Sequence, residues 1–109
     1  MFQRANLLES AMNVAMLNAQ VISNNIANAS TPNFKASYVI SQVQGEPNDP
    51  KRITAKVIKD LSTSISNDGN NVDVNTQMAL LAENTIRYEV LTQLASMSFK
   101  RYADVLKGV

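Results

Sequence analysis

The chain has 109 residues, with 10 lysine and arginine residues against 9 aspartate and glutamate residues, and it contains neither cysteine nor histidine. These counts exclude disulfide bonds, thiol nucleophiles, histidine bases and metal sites built from those ligands. Because the charges nearly cancel and the cations are scattered along the chain, nucleic acid binding through phosphate neutralisation is not expected. The length fits one domain, predicted here as 1–109.

An amphipathic helix is predicted over residues 1–30. Apolar residues recur there at alternating spacings of four and three, the pattern of a helix that packs against another helix. No charged side chain occurs between Ser10 and Phe34, where asparagine, glutamine and serine supply the polarity. Interface cores are depleted in charge, so this face is predicted to contact other protein; the alternative is an amide-rich surface helix. The packing positions are Leu8, Met12, Ala15, Ala19, Ile22 and Ile26.

A turn and a flexible or partly ordered connector are predicted over residues 31–73. Pro32 ends the first helix, because proline lacks the amide donor and biases the preceding residue away from helical geometry. Asn33 suits a turn position with positive φ. Residues 38–43 fit a short strand, residues 45–50 are rich in turn formers, and residues 53–61 fit either a strand or a helix.

A second helix is predicted over residues 74–109, with Asp73 or Asn75 as its N-cap and Gly108 as a terminator. Its apolar positions again alternate fours and threes, and they are bulkier than those of the first helix. Small alanines on one helix can therefore receive large side chains from the other. The fold class predicted is all-α dominated, an elongated antiparallel hairpin of the two terminal helices. The packing positions on the second helix are Leu81, Tyr88, Leu91, Ala95, Phe99, Tyr102 and Leu106.

No residues with catalytic, cofactor-binding or metal-binding spacing are found, so an enzyme is a distant possibility. Glu83 and Arg87 lie one helical turn apart and predict a surface ion pair. Asp68 and Asp73 lack the glycine and the closing glutamate of a calcium loop, which favours turn and capping roles. Amides interrupt every apolar stretch near the start of the chain, so neither a cleaved signal peptide nor a membrane-spanning helix is expected.

Two segments resemble known signatures. The first resembles the Asn-Asn-Ile-Ala-Asn-Ala-x-Thr-Pro-Gly-Tyr-Lys-Ala motif of the axial protein family of the bacterial flagellar rod, hook and hook-associated proteins. A glycine and a tyrosine of that motif are Asn33 and Phe34 here. The second, residues 68–74 with 78–88, resembles a signature of a rod-protein member of the family. The first motif is carried by Asn24, Asn25, Ile26, Ala27, Asn28, Thr31, Pro32, Phe34 and Lys35.

The resemblance implies a structural subunit of the proximal rod, which links the membrane base and export gate to the distal rod and transmits torque. It implies that the helical hairpins of many copies stack into a tubular rod in the periplasmic space. The implied partners are further copies, other rod proteins, the type III export gate and the membrane-ring base, without nucleic acid, membrane insertion or cofactor. Export without a cleaved signal peptide is implied as well. The alternative is a cytosolic helical-hairpin module for protein interaction.

Overall fold

The structure, a computed structural model, describes residues 2–45, 51–61 and 67–108. Two long helices flank a pair of strands along the chain. The elements are α1 (Phe2–Ala27), β1 (Ser37–Gln44), β2 (Arg52–Lys59) and α2 (Val74–Lys107). The molecule is elongated, with principal extents of 67 × 28 × 13 Å. The prediction of a mostly helical fold is confirmed.

The helix ends follow from local chemistry. α1 ends at Ala27 rather than at residue 30. In the turns that follow, backbone hydrogen bonds span three residues instead of the four of an α-helix, such as that from the Ala29 N–H to the Ile26 carbonyl at 3.2 Å. Asn33 has the expected positive φ, 61°. Asp73 caps α2 by accepting hydrogen bonds from the amides of Asn75 and Thr76 at 3.1 and 3.4 Å, which satisfies two donors that the first turn leaves unpaired.

α2 ends at Lys107 with Gly108 as its C-cap, as predicted. The Gly108 N–H donates to the Asp104 carbonyl at 3.0 Å, but its φ of −79° is not the left-handed conformation of a glycine terminator. The outermost predicted helix positions, 1 and 109, lie outside the described residues.

A two-stranded antiparallel sheet occupies much of the predicted connector. β1 and β2 pair from Ser37 opposite Lys59 to Gln44 opposite Arg52. The short strand predicted at residues 38–43 lies within β1, and the ambiguous segment 53–61 is largely strand. Its β-branched residues fit a strand once β1 supplies the hydrogen-bonding partner. The parts of the predicted connector at 46–50 and 62–66 lie outside the described residues.

The hydrophobic core is thin. Among the described residues, the buried hydrophobic side chains are Ala15, Ile22 and Val72. One face of the sheet, through Val39 and Ile53, packs on the α1 side and lines an open cavity with residues of both helices. The hydroxyl of Ser10 on α1 accepts a hydrogen bond from the Ile53 N–H at 2.8 Å, which ties β2 to the helix.

No helix within the described ranges combines the length and the apolarity that crossing a bilayer requires.

Candidate functional site

Asn25 is the most completely buried side chain described, with 0% of its surface exposed. Its amide nitrogen donates to the Ser37 carbonyl at 2.8 Å and to Oε1 of Gln77 at 3.0 Å. Its amide oxygen accepts from the Ser37 N–H at 2.9 Å. A single neutral side chain therefore joins the end of α1, the start of β1 and the first turns of α2.

Asn70 secures the chain where it leaves α1. Its Nδ2 donates to the carbonyls of Asn28 at 2.9 Å and Thr31 at 2.8 Å, and its Oδ1 accepts from the Val72 N–H at 2.7 Å. Carbonyls in a turn after a helix have no regular backbone partner and need another donor when they are covered. Asn70, which is 2% exposed, supplies that donor from a distant part of the sequence.

Asn71 holds the base of the hairpin in the same way. Its Oδ1 accepts from the Ala36 N–H at 2.6 Å, and its Nδ2 donates to the Asp60 carbonyl at 2.7 Å. The backbone N–H of Asn71 also donates to the Phe34 carbonyl at 3.2 Å. We call the set formed by Asn25, Asn28, Asn70 and Asn71 with their backbone partners the asparagine joint.

The turn 31–36 and the turn 67–71 lie directly against each other in this joint. The Asn33 N–H donates to the Asp68 carbonyl at 2.9 Å, and Lys35 Nζ donates to the Gly69 carbonyl. Gly69 has φ 83°, and a Cβ added there would lie 2.5 Å from Oδ1 of Asn33. The positive φ therefore favours glycine at this position, and a larger residue would also have to displace the exposed Asn33 side chain.

Most bonds of the joint hold backbone, and the bond from Asn25 to Gln77 joins two side chains. Among the residues that the structure describes, no buried side-chain nitrogen or oxygen lacks a hydrogen-bond partner. The donors and acceptors that bind the turn are chiefly neutral amides, which neither titrate near neutral pH nor act as nucleophiles. The joint thus fixes the relative placement of α1, α2 and the hairpin.

A second amide contact lies midway along the helices. Asn84 of α2 is 4% exposed; its Nδ2 donates to the Ala15 carbonyl at 2.8 Å, and its Oδ1 accepts from Asn18 at 3.0 Å. Sequence reasoning passed over Gln77, Asn84 and the joint roles of Asn70 and Asn71. The available signal was a seven-residue spacing, because residues 70, 77 and 84 are all amides and 77 and 84 fall on one helix face.

The predicted packing positions are distributed between covered and open surfaces. Ala15 and Ile22 are buried, and an open cavity of about 330 Å³ brings together Leu8 and Met12 of α1 with Tyr88, Ala95 and Phe99 of α2. Phe99 and Leu106 are nevertheless 70% and 64% exposed. The half-buried positions are Leu8, Met12, Ala19, Ile26, Leu81, Tyr88, Leu91 and Ala95, and Tyr102 is exposed.

The residues of the predicted motif divide in a similar way, since the side chains of the joint are covered while the intervening ones face outward. Asn25 is buried. Ile26, Asn28, Phe34 and Lys35 are half-buried, and Asn24, Ala27, Thr31 and Pro32 are exposed.

A second apolar stripe runs along the opposite side of α2. Ile86, Val90 and Met97 are 62%, 49% and 57% exposed, and their spacings of four and seven place them on one face of a helix. We call these three residues the outer stripe. Beside it, the predicted surface ion pair is confirmed, with 3.1 Å between Arg87 Nη2 and Glu83 Oε1.

Comparison with known proteins gives consistent matches. The model of the flagella basal body rod protein family matches residues 6–35, which include most of α1 and the turn after it. The chain is 32% identical to flagellar basal body rod protein FlgB of Bacillus subtilis, over 93% of this chain and 91% of the relative. It is 30% identical to FlgB of Borrelia hermsii, over 94% of each chain. It is also 26% identical to FlgB of Aquifex aeolicus, over 99% and 96% respectively.

Proposed function

The chain belongs to the family of flagellar basal body rod protein FlgB and is a structural subunit of the flagellar basal-body rod, and from that premise we propose that its two long helices form an antiparallel hairpin whose outer surfaces pack against neighbouring subunits. The cross-helix hydrogen bonds support this orientation. Asn25 bonds Gln77, while Asn18, further towards the start of α1, bonds Asn84, further towards the end of α2.

The observation that carries the proposal is the large hydrophobic surface left open beside a thin core. Fully burying one large aliphatic or aromatic side chain stabilises a protein by roughly 1.5–3 kcal/mol. Contact with a neighbouring subunit would bury this surface and so stabilise the folded chain. Charge is also sparse on α1 and the turn after it, as expected for a contact surface. The exposed large hydrophobic residues of α2 are Val74, Met78, Leu80, Ile86, Val90, Leu94, Met97, Phe99, Tyr102, Val105 and Leu106.

The packing residues have two proposed roles. Those near the middle of the helices close the hairpin: Leu8, Met12, Ala15, Ala19, Ile22 and Ile26 of α1 with Leu81, Tyr88, Leu91 and Ala95 of α2. Those towards the end of α2, Phe99, Tyr102 and Leu106, pack against a neighbouring subunit. The joint fixes the hairpin to both helices, so residues 1–109 act as one axial domain.

Assembly with other flagellar rod components follows from the family. The finer proposal places the subunit in the proximal, periplasmic part of a tubular rod, next to the export gate and the membrane-ring base. It is exported from the cytoplasm without a cleaved signal peptide, transmits torque through packed helices, and catalyses no reaction. The neutral, hydrogen-bonded chemistry of the joint supports a mechanical role.

A matched pair of substitutions tests the proposal. Ile22 is 3% exposed. Ile22→Asp places an unpaired charge in a dehydrated contact at a cost of several kcal/mol, whereas Ile22→Leu keeps an apolar side chain of the same volume there. In cells that lack the native protein, tagged wild type and Ile22→Leu should appear in purified basal bodies and restore swimming, and Ile22→Asp should not.

Retention of tagged wild type in the cytosol of cells with a working export apparatus would overturn the proposal and favour a cytosolic interaction module. Normal swimming with Ile22→Asp would show that the hairpin seam is misplaced.

A further inference from the structure

The hairpin has one face against the helices and one face open. Because alternate residues of a strand share a face, Tyr38 and Ile40 point away from the side where Val39 and Ile53 pack on α1. Tyr38 and Ile40 are each 47% exposed. In the register of the sheet, Tyr38 lies opposite Ile58 and Ile40 opposite Lys56.

The two strands are also basic, although the segment between them carries Glu46 and Asp49. Lys51, Arg52, Lys56 and Lys59 are all exposed, and neither 37–44 nor 51–59 contains an acidic residue. Four of the ten cations of the chain therefore lie within nine residues. Arg52 and Lys56 share the open face with Tyr38 and Ile40. We call these four residues the hairpin outer face.

The outer stripe of α2 has the opposite arrangement. A helix turns by about 100° per residue, so Glu83 and Glu89 flank Ile86 and Val90 on the two sides. The two carboxylates are separated by about 9 Å along the helix axis. Both glutamates are exposed, and Glu83 also pairs with Arg87 of its own helix.

We propose that the hairpin outer face of one copy packs against the outer stripe of α2 in a second copy. Tyr38 and Ile40 cover Ile86 and Val90, while Lys56 and Arg52 lie beside the two glutamates. Each surface has an apolar centre, and the net charge beside it is positive on the hairpin and negative on α2, where Arg87 offsets one of the two glutamates. Opposite net charges around apolar centres give an interface both its burial and its register. This inference rests on the proposed function, because it assigns one of the contacts through which rod subunits assemble.

The two surfaces do not meet within a single chain, because the other face of the hairpin is the one that lies against α1. They are also different parts of the molecule, so the contact is head-to-tail. Contacts of this kind repeat from copy to copy and generate rings or open helical arrays rather than closed two-fold dimers. A rod subunit needs that repetition.

Charge exchange tests the contact in the purified full-length protein. Lys56→Glu and Glu89→Lys should each raise the concentration for half-maximal self-association about tenfold at low ionic strength, and the combined variant should recover most of the loss. Lys107→Glu, an exposed charge reversal outside both surfaces, should have little effect. Unchanged association in the single variants, or a combined variant as weak as either single one, would overturn the proposal.

Site-specific cross-linking gives a second readout, since the chain contains no cysteine. Copies carrying Ile40→Cys and copies carrying Val90→Cys, tagged to differ in size, should form a mixed dimer with a short bis-maleimide. Replacing the second variant with Ser23→Cys should reduce that product strongly. Failure of the Ile40–Val90 product at concentrations where wild type self-associates would overturn the contact.

Binding to phosphatidylglycerol vesicles tests the alternative that the basic hairpin recognises an anionic lipid surface. If Lys56→Glu abolishes vesicle binding but leaves self-association intact, the face recognises anionic lipid and the proposal fails. If tagged wild type is nevertheless found in purified basal bodies, the proposed rod function is supported and only this contact is refuted.

Discussion

Replacing Asn25 with alanine removes three hydrogen bonds at one buried point. Oε1 of buried Gln77 loses a donor, and the N–H and carbonyl of half-buried Ser37 each lose a partner. A buried polar group left unsatisfied costs about 1–3 kcal/mol, and an ordinary hydrogen bond contributes about 0.5–1.5 kcal/mol, so the expected loss is about 2–5 kcal/mol. Folded domains have only about 5–15 kcal/mol of stability, which makes this loss severe.

Urea unfolding followed by far-ultraviolet circular dichroism, at a fixed protein concentration, measures the effect. With a denaturant slope of about 2 kcal/mol per molar urea, the midpoint should fall by about 1 M or more. Asn24→Ala is the matched control, because Asn24 is exposed and its side-chain oxygen only accepts a long 3.3 Å bond from Asn28. Equal midpoints for the two variants would refute the view that Asn25 holds the joint.

Three further predictions concern the turn, the cap and the thin core. Gly69→Ala should lower the free energy of unfolding in urea by about 1–3 kcal/mol, since its Cβ would meet the Asn33 side chain at a positive φ. Gly108→Ala, at φ −79°, should change the free energy of unfolding by less than about 0.5 kcal/mol. Similar values for the two variants would contradict the role given to the positive φ of Gly69. Asp73→Ala should lose about 1 kcal/mol of stability through the missing helix cap, with Asn75→Ala as a milder comparison, and an unchanged midpoint for Asp73→Ala would rule out the capping role. The melting temperature of the wild type should rise with protein concentration, because association supplies the missing burial, and a melt independent of concentration would count against this coupling.

The helices could be predicted from the sequence because the signals for them are local. Alternating spacings of four and three, an aspartate before the first turn of α2, and a proline after α1 act within a few residues of one another. The positive φ of Asn33 was accessible for the same reason. Helix limits then differ from the prediction by a few residues, since the bonding in the turn after α1 competes with one more helical turn.

The asparagine joint could not be predicted, because the residues that bond to one another lie far apart in the sequence. The bond from Asn25 to Gln77 spans 52 residues, and the seven-residue spacing of the amides at 70, 77 and 84 does not indicate which group each amide binds. An asparagine in a turn looks the same whether its amide faces water or another backbone. The strand at Arg52–Lys59 shows the same limit, since Ile53, Val57 and Ile58 fit a helical or an extended spacing until a partner strand is known.

The long reach of the joint also sets an order of events for a chain that emerges from its N-terminus. The Asn70 side chain, which binds the Asn28 carbonyl after α1, follows Asn28 by 42 residues. The joint therefore cannot form until most of the chain has emerged. An isolated helix of this composition is marginal in water, and closing a loop of that length costs conformational entropy that only the completed joint offsets. For the export that we propose, this placement of Asn70 would keep the leading part of the chain unfolded until most of the chain has left the export channel.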